Sequence, residues 1–133
     1  MVGQKFDSYV SIMEALHNMV AAFDEAFEAS ISGRKVPPDL EQNLEVKHLA
    51  GIEEISKQLD IGEFLLIPDT PKALRSMLNN LENHKETNSH SDYIEGSSQT
   101  IHNCLDQIRI YARRELEGGW KHRLPSLFPG YNR

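Results

Sequence analysis

The run FDSYVSIMEALHNMVAAFDEAFEASI, residues 6–31, places apolar side chains at Phe6, Val10, Met13, Leu16, Val20, Phe23, Phe27 and Ile31. Every step is three or four residues, so at about 100° per residue they share one stripe of a helix. Ser8, Ser11, Glu14, Asn18 and Glu25 take the other side. At a rise of 1.5 Å per residue the helix is about 40 Å long. A stripe of that length has to be covered, and the cover has to come from the remainder of the chain.

Working outward, Gly33 suits the left-handed position after a helix, and Pro37-Pro38 bars its continuation. Asp39 with Gln42 has the spacing of a capping box. Leu40, Leu44, His48, Ile52, Ile55 and Leu59 then predict a second amphipathic helix, with Gly51 inside it where another backbone could come close. Phe64-Leu65-Leu66-Ile67, stopped by Pro68, reads as an irregular apolar plug over the end of a bundle. Thr70-Pro71 looks like a cap followed by proline at the first helical position, ahead of Ala73, Leu74, Met77, Leu78 and Leu81. Lys85 to Ser91 is the most polar connection and is expected to be the most mobile. Asp92 with Glu95 offers another capping box, although Gly96-Ser97-Ser98 interrupts the first turns. Ile94, Ile101, Leu105, Ile108, Ala112 and Leu116 carry the fourth helix to Gly118-Gly119.

The expected fold is therefore all-α. It is an antiparallel four-helix bundle in one domain, residues 1–133, with helices over about 5–32, 40–60, 71–84 and 92–117. The plug (64–68) and an extended, docked C-terminal segment (119–133) complete it. The third helix is much shorter than the first, so the plug, the tail or a second subunit has to finish covering the first stripe.

Composition narrows the class. With 39 % apolar and 26 % charged residues, the chain of 133 residues has the balance of a soluble globular domain. No run approaches the roughly 18 apolar residues of a membrane span, so no membrane partner is expected. The N-terminal residues lack the apolar block of a signal peptide, and Cys104, the one cysteine, cannot form an internal disulfide. The expected location is cytoplasmic. The net charge of −6 is uneven: residues 1–108 hold eight Lys/Arg against eighteen Asp/Glu, and residues 109–133 hold six against two. The acidic body would repel a nucleic-acid backbone and the small basic end could attract one, but that end is better placed on its own acidic body or on a neighbouring subunit's.

Two Glu-x-x-His pairs, Glu14/His17 and Glu45/His48, have the spacing that helps build di-iron sites in ferritin-like bundles. Glu14 falls well away from the centre of its own apolar stripe, and the later helices offer no core-facing carboxylate to complete such a site. These four residues stand as metal candidates only, with His48 better read as a core histidine holding a hydrogen-bond partner. No cofactor is expected. Cys104 has no activating base, since His102 two residues away is on nearly the opposite face. Glu25-x-x-Glu28 resembles half of the acidic motif of all-α pyrophosphohydrolases, but the Glu-x-x-Asp half is missing and the pair reads as a solvated face.

HEPN-type ribonucleases, also helical bundles, carry Arg-x(4–6)-His on a late helix. Here Arg114 and His122 are separated by seven residues with Gly118-Gly119 between them, so the chain resembles that family only as a bundle. That resemblance would imply a divergent RNase using Arg113 or Arg114 with His122. The stronger feature is aromatic and basic: Trp120, Phe128 and Tyr131 beside Arg113, Arg114, Lys121 and Arg123. Such residues are enriched at binding hot spots. They either dock a partner protein or sister subunit, or close one end of their own bundle. The expected function is accordingly non-enzymatic: an inhibitor, immunity-type protein, adaptor or assembly subunit working through protein contact, with a homodimer among the outcomes.

Overall fold

The computed structural model describes residues 2–32, 38–87 and 89–117. Among them are four helices and no strand: α1 (Val2–Ile31), α2 (Pro38–Leu65), α3 (Asp69–Thr87) and α4 (His90–Leu116). The chain is all-α, as its periodicities require. Gly33 and the tail 119–133 lie outside the described residues.

α1 is the centre of the packing, lying against α2 on one side and α4 on the other, while α3 packs chiefly on α4. Along α1 the partners on α2 run downward in number: Ser8 bonds to Gln58, Met19 packs at Gly51, and Phe23 meets His48. Toward α4 the order is the same, with Tyr9 bonded to Glu115 and Asp24 to Ser98. Two neighbours make the buried face of α1 wider than one stripe. Tyr9, Ile12, Leu16, Met19, Phe23 and Ala26 are its most deeply buried residues, whereas Phe6 and Phe27 are only partly covered and Ile31 is 67 % exposed. Ser8, expected on the water side, is buried because its hydroxyl donates to Gln58 Oε1 at 2.7 Å.

Several helix ends differ from expectation. α2 begins at Pro38, which puts Asp39 and Glu41 inside its first turn, where they complement the helix dipole. It runs on to Leu65, so half of the expected plug is its last turn; Leu66 is buried and Ile67 partly so. Thr70 is not a cap: it is fully buried, and its hydroxyl bonds to Tyr9. Most of the polar 85–91 stretch is helix, because α3 reaches Thr87 and α4 starts at His90. Ser89, not Asp92, caps α4, accepting from the Asp92 N–H at 3.3 Å. Gly96 lies inside α4 because the His84 ring sits where its side chain would be. A Cβ there would come 2.8 Å from the imidazole, whose Nε2 lies 3.1 Å from Thr100 Oγ1.

Candidate functional site

α2 carries apolar residues on two faces. Leu44, Gly51, Ile55, Gln58 and Gly62 are buried. Val46 is nine residues before Ile55, half a turn away at 100° per residue, so it stands opposite the core. It is 59 % exposed, Leu49 beside it 58 % and Ile61 on its other flank 42 %. Val46 and Leu49 are adjacent on this face, and Glu53, Lys57 and Asp60 lie between them and Ile61. The sequence carries a signal for the pair, since Val46 and Leu49 fall out of register with Leu44, His48, Ile52 and Ile55.

The electrostatics of this helix are one-sided, with seven carboxylates against Lys47 and Lys57. Glu63 pairs with Arg75, Glu41 with His90 at 3.2 Å, and Glu54 accepts from Gln58. Glu45, Glu53 and Asp60 are exposed and in no ion pair among the described residues. Next to Leu49 a cleft of about 460 Å³ opens between α2 and the start of α4, walled by Leu44, Glu45, His48, Lys85 and Tyr93. Two of its walls, His48 and Tyr93, each meet the buried Phe23 ring edge-on, at 5.1 Å and 5.8 Å.

His48 is half-buried, and its Nδ1 is buried with no hydrogen-bond partner in the described structure. Burial pushes its pKa below the ordinary histidine value; the charge of Lys85 adds to this and that of Glu82 opposes it. The folded chain thus keeps a neutral imidazole where the unfolded chain, titrating near 6.5, already takes up a proton. Stability from this site is intact above that value and falls as pH drops through it. The urea midpoint is therefore expected to fall between about pH 7.5 and about pH 5.5, and to fall less in His48→Leu. His17, whose pKa burial, Arg109 and His102 also lower, retains part of the slope in that variant. An equal fall in both proteins would remove His48 from the account.

Of the metal candidates, Glu14 and His17 share an apolar cleft with Phe6, Val10 and Leu116, and Glu14 also borders a groove with Asn18, Lys47 and Glu54. Glu45 and His48 share the α2/α4 cleft. Among the described residues no three His, Cys, Asp or Glu side chains gather to hold a metal ion. Cys104 is buried, and burial pushes its thiol up to about 12, away from a nucleophilic thiolate.

One polar cluster escaped the sequence. Ser98 Oγ donates to Asp24 Oδ1 at 2.5 Å, and His102 Nε2 lies 3.1 Å from Asp24 Oδ2. A nucleophilic relay needs the histidine between serine and carboxylate. Here the carboxylate is in the middle, so the three residues clamp α1 to α4.

Of the expected contact residues, Arg114 reaches Asp69 Oδ2 at 3.3 Å and lies 5.7 Å from the Tyr111 ring centroid, and Arg113 is exposed. Trp120, Lys121, Arg123, Phe128 and Tyr131 lie outside the described residues, as does His122 of the Arg/His pair. No helix among the described residues is long and apolar enough to cross a membrane. Comparison with known protein families, curated proteins and solved structures found no match to this chain.

Proposed function

We propose that this chain is a non-enzymatic helical protein that works by binding another protein, in the manner of an inhibitor, adaptor or assembly subunit. The observation that carries the reading is the exposed pair Val46 and Leu49 on the side of α2 away from the core, with Ile61 exposed further along the same helix. Apolar side chains gathered on the outside of an amphipathic helix lower solubility unless something covers them, which is the mark of a contact surface.

Affinity capture with the full chain tests this. A partner held by the wild type and lost on Val46→Ser/Leu49→Ser, or on truncation after Gly119, is the expected result. Hydrolysis of RNA by the purified protein that disappears in His122→Ala would overturn it.

A further inference from the structure

We propose that the outward face of α2 docks a basic amphipathic helix of the partner protein, laid along Val46, Leu49 and Ile61. This rests on the protein-contact reading and names the chemistry of the partner. Val46 and Ile61 are fifteen residues apart, about 22 Å along the helix and the length of two heptads of a partner. Leu49 forms the lip of the cleft of about 460 Å³ beside His48 and Tyr93. Ile61 borders a second cleft, of about 400 Å³, between α1 and α2 near Gln58 and Leu65. Between Leu49 and Ile61 the outward face carries Ala50, Glu53, Lys57 and Asp60, so the apolar contacts fall at its two ends, each beside a hollow, and the matching helix carries leucines near its ends with basic residues between them.

Charge decides between occupants. Glu45, Glu53 and Asp60 outnumber Lys47 and Lys57 on this side of α2, so a second copy laid on the same face would set acid against acid. Nucleic acid and anionic lipid are repelled by the same field. Leucines near the ends with Lys or Arg between them satisfy both the apolar contacts and Glu45, Glu53 and Asp60, the exposed carboxylates outside any described ion pair.

The probe is a labelled peptide of Leu, Lys and Ala with leucines at helical spacing near its ends and lysines between, titrated into the full chain and followed by anisotropy. Controls are the same composition with leucines scattered and a version with Glu for Lys. The patterned Lys peptide is expected to bind. Val46→Ser/Leu49→Ser and, separately, Glu45→Lys/Glu53→Lys are each expected to weaken it at least about 10-fold. All four substitutions are at exposed positions, so helix content by circular dichroism should match the wild type. Equal binding of the patterned and scattered peptides, or equal binding to the serine variant, overturns the proposal, because charge alone would then hold the probe. Self-association in sedimentation that the serine variant abolishes also overturns it, by making a second copy the occupant. That outcome would leave the protein-contact reading standing, so the two failures are distinguishable.

Discussion

Replacing Glu115 by alanine is expected to destabilise the fold by about 3 kcal/mol, lowering the melting temperature by about 10 °C. The carboxylate is 5 % exposed and joins three parts of the chain, α1, the α2–α3 link and its own α4. Its Oε1 accepts from the Tyr9 hydroxyl of α1 at 2.7 Å and from the Ile67 N–H between α2 and α3 at 3.0 Å. Its Oε2 is 3.2 Å from Lys5 Nζ. Because Tyr9 donates to Glu115, the Thr70 hydroxyl of α3 is the donor in the 2.8 Å bond that it shares with Tyr9. Alanine would leave the Ile67 N–H without its acceptor and the Tyr9–Thr70 hydroxyl pair one acceptor short where water has little access, and unmade buried bonds cost more than made ones return. Tyr9→Phe removes both bonds of that hydroxyl, to Glu115 and to Thr70, and should cost about 2 kcal/mol. The double variant should cost less than the sum, since the two residues share the Tyr9–Glu115 bond. Urea titrations of the three variants check this; full additivity, or a loss below about 1 kcal/mol for Glu115→Ala, would mean that the network does not hold this end of the bundle.

None of this network could be read from periodicity. Tyr9 and Glu115 are 106 residues apart, and Tyr9 and Thr70 are 61 apart, so only the folded chain brings them together. Periodicity does show that residues 6–31 are helical. It does not show how far round the helix burial extends, because that depends on α1 having two neighbours. Ser8 and Thr70 are buried against their local character because each hydroxyl has a partner on another helix, Gln58 and Tyr9. Local rules fared worst at the helix ends, where Leu65 and Gly96 stay helical through tertiary contact. The α2 face was legible in principle, since Val46-x-x-Leu49 breaks an otherwise clean amphipathic pattern. An apolar pair on the wrong side is easily passed over as noise until the exposure of both is known.

Gly51→Ala is expected to change sign with its background. In an open helix, alanine for glycine gains about 1 kcal/mol. Here a Cβ on Gly51 would fall on Met19 Cγ and Sδ, and Met19 is fully buried. The atom in the way is near the root of the methionine side chain, so Met19 has to leave its rotamer in a packed core, at a cost of about 1–3 kcal/mol. Gly51→Ala alone should therefore destabilise, by about 1 kcal/mol net. Met19→Ala alone removes the obstruction but opens a cavity, costing about 3 kcal/mol. In that background the Gly51→Ala methyl enters vacated space and keeps the helix gain, so the double variant should be more stable than Met19→Ala by up to about 1 kcal/mol. This follows from a side chain, not a backbone, occupying the space that glycine leaves in α2. Urea midpoints for the four proteins decide it: if Gly51→Ala stabilises the wild type, Met19 does not lie against α2 as described.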